Sequence, residues 1–232
     1  MAEYESRREL ILSPKMKMAD LVNSRPYLLN VLDRSGIRLG FGENTVDDCC
    51  SRQGKDTSTF LSICKICLYE GVVPGVSELK SLKVDDVTSF LRNSHDSYKN
   101  VWLPCIEDRI SRVLRSRTEA QRKVISEFFG KFRDELQLHF DIEERKIFPL
   151  LDEMNKKGRR TKKVFHEEHT NIVEKIQDLA NLLLKYLPYQ DTDPDVTGLL
   201  FCLYQLKVDI SIHSRIEDHM ILPLLRGENN DE

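Results

Sequence analysis

The feature that most constrains this chain is a pattern that occurs twice. His139-Phe-Asp-Ile-Glu143-Glu144-Arg-Lys-Ile-Phe-Pro149-Leu-Leu returns as His213-Ser-Arg-Ile-Glu217-Asp218-His-Met-Ile-Leu-Pro223-Leu-Leu. The differences 213 − 139, 217 − 143 and 223 − 149 are each 74, and His95 and His169 are separated by the same 74 residues. A two-helix unit is therefore predicted to occur twice, with a lone histidine on its first helix and a His-x-x-x-Glu pair on its second.

Four long helical stretches carry this repeat, about residues 84–114, 119–154, 161–186 and 195–225. Their connections are short or polar, as in Asn155-Lys-Lys-Gly-Arg-Arg160, and no strand signal competes with them. The predicted fold class is all-α: an up-down-up-down four-helix bundle preceded by a small helical N-terminal domain. Pro104, Pro149 and Pro223 fall inside or near the ends of these helices and are expected to kink or end them.

Residues four apart on a helix share a face, so His139 with Glu143, and His213 with Glu217, each reach a common centre. Antiparallel packing brings His95 and His169 to the same level, giving four imidazoles and two carboxylates in the core. A single histidine-glutamate pair is usually a solvated face. Two pairs in register, with two further histidines at the same offset, are a donor set. That set exceeds one tetrahedral zinc, and mixed nitrogen and oxygen ligation suits iron or manganese. The expected cofactor is two non-haem iron ions, with Glu143 and Glu217 bridging.

At these residues the sequence resembles the hemerythrin-like domain: His95 with Leu103-Pro104, His139-x-x-x-Glu143-Glu144 with Phe148-Pro149, Glu168-His169, and His213-x-x-x-Glu217 with Leu222-Pro223. More closely it resembles the repair-of-iron-centres proteins. The resemblance implies a di-iron protein that responds to nitrosative or oxidative stress and helps restore damaged iron-sulfur or other iron centres. It also implies that Glu135 and Glu168 lie beside the centre, where they could relay protons or guide iron. The small-molecule partner is expected to be nitric oxide or oxygen. In oxygen-carrying hemerythrins two histidines four apart stand on the third helix, whereas here His166 and His169 are three apart, which leaves a coordination position open. The last carboxylate of those proteins comes five residues after the last histidine, so Asp218 stays an alternative to Glu217. A hemerythrin-like sensor of oxygen, nitric oxide or iron, without repair activity, is the rival reading.

Before the bundle, residues 1 to about 15 read as a loose tail. Short helices are predicted from Met16 to Leu32, broken at Arg25-Pro26, and over Thr45–Gln53 and Thr57–Tyr69, with Gly71–Gly75 as a linker. The division is 1–75 and 76–232. The resemblance assigns the first unit a client or dimer contact and a vicinal Cys49-Cys50. Cys64, Cys67, Cys105 and Cys202 read as core residues. Thr45–Gln53 and Thr57–Tyr69 also form a possible helix-turn-helix, but residues 1–75 carry 10 Lys+Arg against 10 Asp+Glu. With a whole-chain charge of −3, nucleic acid is not an expected partner. No apolar run is long enough to cross a bilayer, and the charged start is unlike a signal peptide, so a cytoplasmic location is expected.

Overall fold

In the computed structural model, residues 11–157, 170–186 and 193–226 are described, with the backbone alone for 154–157 and 170. The N-terminal part has α1 (Met18–Ser24), α2 (Leu28–Arg34), α3 (Val46–Arg52), α4 (Thr57–Leu68) and α5 (Val76–Ser81). The break between α1 and α2 falls at Arg25-Pro26, as predicted. Thr45 caps α3 through a reciprocal bond pair with Asp48, and Asp56 caps α4 by accepting from the Thr59 N–H. Helix α5 was not foreseen. Residues 71–75 form no helix.

Four rods follow: α6 (Val84–Ser97) with α7 (Leu103–Leu114), α8 (Glu119–Ile142) with α9 (Phe148–Lys157), α10 (Thr170–Tyr186), and α11 (Pro194–Ile216) with α12 (Leu222–Arg226). Helix α7 packs against α8 and α11, while α10 packs against α8 and α11, which closes a four-helix ring. Each rod buries a stripe at spacings of three and four residues. On α8 this is Ile125, Phe129, Phe132, Leu136 and Phe140, and on α11 Leu199, Leu203, Leu206 and Ile210. The fold is an all-α helical bundle. Among the described residues no strand occurs beyond one isolated bridge, Lys17 with Thr45, and no helix is long and apolar enough to cross a membrane.

The three prolines do not end their rods. A single π turn precedes each: Tyr98–Trp102, Glu143–Ile147 and Glu217–Ile221, each beginning six residues before Pro104, Pro149 or Pro223. The N–H of Leu103, Phe148 and Leu222 bonds back five residues, to the carbonyls of Tyr98, Glu143 and Glu217. A proline ring clashes with the carbonyl four residues back. Widening the turn before it moves that carbonyl aside, so the helix continues.

Two apolar clusters fill the protein. One, with Tyr98, Phe140 and Ile210 at its upper end, runs down the bundle. The other joins Leu28, Leu32, Phe60, Ile63 and Ile66 of the N-terminal helices to Phe90, Leu91, Phe148, Ile212, Ile216 and Met220 of the rods. The N-terminal helices thus share a core with the end of the bundle. Across this contact Arg34 and Asp209, both buried, form an ion pair that the Tyr27 hydroxyl joins by donating to Asp209.

The cysteines divide. Cys49, Cys50, Cys64 and Cys67 are buried, and burial pushes the Cys50 and Cys67 thiols up to about 12. Cys50 therefore carries almost no thiolate at neutral pH, which suits packing. Cys202 is half-buried against the bundle core, whereas Cys105 is exposed, which corrects the expectation that it is a core residue. Their helix stripe is turned by the packing of α7 on α11, so the pair lies at the edge of that contact.

Candidate metal centre

A polar layer separates the two clusters. His95, Glu143, His213 and Glu217 are all buried there, and one donor atom from each lies within 4.8 Å of every other. His95 comes from α6, His213 from the end of α11, and Glu143 and Glu217 each open a π turn. His139, one helical turn before Glu143, adds its Nε2 at 3.0 Å from Glu143 Oε1.

His95 is held by stacking and by hydrogen bonding. Its ring stacks on Phe140, with centroids 4.2 Å apart, and on Phe148, at 5.5 Å, so two phenyl rings restrict its plane. Its Nδ1 lies 3.0 Å from Glu144 Oε1. Glu144 is in turn held by Arg92, at 3.4 Å, and Arg92 also reaches Asp152, at 3.1 Å. A carboxylate that accepts the Nδ1 hydrogen fixes the tautomer and leaves Nε2 to face the cluster. That Nε2 stands 3.0 Å from Glu143 Oε2 and 3.2 Å from His213 Nε2. His213 Nε2 stands 3.2 Å from Glu217 Oε1, and the Tyr98 ring meets the His213 ring edge-on at 5.7 Å.

The electrostatics of the two central imidazoles diverge. Burial pulls His95 down, but its hydrogen bonds to Glu143 and Glu144 outweigh that and leave its pKa raised. Burial drives His213 down, and the opposing Glu217 carboxylate does not restore it. His95 in return holds the Glu144 carboxyl below its usual range by hydrogen bonding. Two carboxylates and facing imidazole nitrogens in a dry layer are costly unless a positive charge is shared among them.

The spacing fits a cation. Donors at right angles, about 2.1 Å from an ion, lie about 3.0 Å from each other. The four contacts above measure 3.0 to 3.2 Å. Glu143 also turns one oxygen toward His139 and the other toward His95.

The family model of the hemerythrin HHE cation-binding domain matches residues 106–225, more than half of the 232-residue chain. The chain belongs to that family. No curated protein and no solved structure matches it significantly. The matched span of this hemerythrin-like protein contains both His-x-x-x-Glu pairs and His169. His95 lies before that span, and the packing of α6 against α9 brings it to the cluster, within 3.2 Å of His213.

Of the site residues predicted from sequence, His95, His139, Glu143, His213 and Glu217 come together. His169 and Glu168 lie outside the described residues, as does His166. Glu217, rather than Asp218, belongs to the cluster. Glu135 does not: it is exposed and ion-paired with Lys175 of α10, which corrects the expectation that it faces the centre. It lies one turn before His139, but the neighbouring lysine draws it to the bundle's outer surface.

Sequence reading missed what orients His95: Glu144, Arg92 and the two phenylalanines. It also missed that Tyr98 occupies, six residues before Pro104, the place that Glu143 and Glu217 occupy before their prolines. That spacing was available in the sequence as the signal of a third, related turn.

Proposed function

We propose that this hemerythrin-like protein holds two iron ions, through His95, His139, His169 and His213 with Glu143 and Glu217 as bridges, and acts in restoring iron-sulfur or other iron centres damaged by nitrosative or oxidative stress. The observation that carries the two-ion reading is Glu143, whose two oxygens face two different imidazoles 3.0 Å away on either side. A carboxylate placed so spans two ions more naturally than it chelates one. Hard carboxylate oxygens with imidazole nitrogens favour iron over soft thiophilic metals.

Bound iron would supply redox chemistry and an exchangeable position for nitric oxide or oxygen. The protein's own residues do the rest. Glu144 accepts the Nδ1 hydrogen of His95 and keeps Nε2 directed at the cluster. Phe140 and Phe148 fix the ring plane and, with Tyr98, exclude water. The π turns at 143 and 217 set both carboxylates one turn beyond their histidines. Glu168, beside His169, keeps its expected part as a proton relay. Restoration of iron centres rests on the likeness to the repair-of-iron-centres proteins, and a damaged iron-sulfur protein is the implied client, with the N-terminal helices as the contact or dimer surface.

Iron counting after anaerobic purification tests the first part: two ions per chain are expected, and fewer than one in Glu143→Ala. No bound iron, with Glu143→Ala and His139→Ala spectroscopically silent, refutes it. The second part is tested by incubating the loaded protein with an iron-sulfur enzyme inactivated by nitric oxide. Recovery of activity is expected; iron binding without recovery would favour sensing instead.

A further inference from the structure

Away from the metal layer, where α7 meets α11, two thiols and a guanidinium form a group that metal binding does not use. Cys105 and Arg109 are four residues apart on α7, and Gly198 and Cys202 are four apart on α11. Each pair therefore lines one face of its helix. The α6–α7 rod runs antiparallel to α11, with Tyr98 bonded to the Asp209 carbonyl toward one end and Arg117 paired with Asp193 at the other, and in that register Cys105 stands opposite Cys202 as Arg109 stands opposite Gly198. Cys105 is exposed and Cys202 half-buried, and both are free thiols.

Gly198 explains how the arginine is accommodated. A Cβ at that position would stand 2.5 Å from Arg109 Nη1 and 3.6 Å from its Cζ. Glycine inside a helix costs about 1 kcal/mol relative to alanine. Here it opens the groove in which the guanidinium lies, one helical turn from Cys105 and Cys202. Arg109 Nε is buried there with no hydrogen-bond partner among the described residues, so the group holds a donor that a sulfur anion could use.

We propose that Cys105 and Cys202 form a reversible thiol-disulfide switch, with Arg109 as its anion-stabilising residue and a small-molecule disulfide as oxidant. The solvent-facing Cys105 thiolate attacks one sulfur of the small disulfide, forming a mixed disulfide and releasing one thiolate. Cys202, having lost its proton to solvent, then attacks the Cys105 sulfur and expels the second small thiolate. One protein disulfide forms, one small disulfide is reduced to two thiols, and two protein hydrogens leave as protons. A thiolate is the nucleophile in both steps, and an adjacent cation favours it. The fixed guanidinium also distinguishes this group from a metal site, because it would repel a cation. Closing the bond staples α7 to α11, the helix that bears His213.

The test uses the full-length, metal-loaded protein and oxidised glutathione, read by intact mass and peptide mapping under non-reducing conditions. Wild type is expected to lose two hydrogens in mass, to link the Cys105 and Cys202 peptides, and to regain both thiols with dithiothreitol. Cys202→Ser is expected to stop at one glutathione on Cys105. Arg109→Gln, and Gly198→Ala, which crowds the guanidinium, are expected to slow linkage about tenfold, the effect of raising the attacking thiol by about one pKa unit. The proposal is overturned if glutathione stays on Cys105 in the wild type without linkage, if neither cysteine reacts, or if Arg109→Gln reacts as fast as wild type.

Discussion

Replacing Arg34 by methionine is the most informative single change, because it tests whether the N-terminal helices and the bundle stand or fall together. Arg34 is 3% exposed and Asp209 is 1% exposed, and Arg34 holds both oxygens of Asp209, with Nη1 at 2.9 Å from Oδ1. The pair is tied further. Tyr27 donates to Asp209, the guanidinium lies 5.0 Å above the Tyr98 ring, and Asn93 Nδ2 donates to the Arg34 carbonyl at 2.7 Å. Methionine keeps most of the aliphatic volume but leaves the Asp209 carboxylate in an apolar site with the Tyr27 hydroxyl still donating to it. Removing one partner of a buried pair costs about 3–5 kcal/mol, against about 0–1 kcal/mol for a surface pair. For a chain of this size the loss lowers the melting temperature by about 6–20 °C. Circular dichroism melts, taken with wild type and variant in the same metal state, measure it. Arg34→Met with Asp209→Leu should recover most of the loss, since an apolar pair of similar volume removes the stranded charge. A loss below about 1 kcal/mol for the single variant would refute the reasoning, because Asp209 would then have found water or another cation.

Glu144→Gln, which weakens the acceptor for His95 Nδ1, should lower metal affinity about 10- to 100-fold in a chelator competition while leaving the fold intact; unchanged affinity would remove Glu144 from the site. Asp56→Ala should cost about 1 kcal/mol at pH 7 by uncapping α4. Burial tends to raise the Asp56 carboxyl, but hydrogen bonds from Ser58 and Thr59 hold it below its usual range. The folded state therefore binds fewer protons than the unfolded chain, so the contribution is present above the unfolded carboxylate pKa of about 3.9 and disappears as pH falls through the lower folded value. Urea melts of wild type and variant should converge toward pH 2–3, and a constant gap would contradict the cap assignment. Deleting residues 1–75 should uncover Phe90, Leu91, Phe148, Ile216 and Met220, so the shortened protein should bind a hydrophobic dye and self-associate. A monomeric, dye-silent bundle would show that the shared core is dispensable.

Periodicity and spacing are local properties, and what they govern was legible in the sequence. The apolar periodicity of the rods, the break at Arg25-Pro26 and the 74-residue repeat all act over a few residues, or recur at fixed offset. They determined an all-α bundle, and they determined that His139 with Glu143 and His213 with Glu217 would share helix faces. Contacts between distant residues were set by the register in which the rods pack. Glu144 meets His95 across 49 residues, and Arg34 meets Asp209 across 175. No spacing encodes either contact. The same register diverted Glu135 to Lys175 and set Cys105 opposite Cys202 across the contact of α7 with α11. The repeat thus supplied the donors by itself, whereas the direction in which His95 faces, and the buried layer that makes a cation favourable there, came from tertiary packing. An imidazole's tautomer and desolvation depend on neighbours that the chain brings near only when it folds.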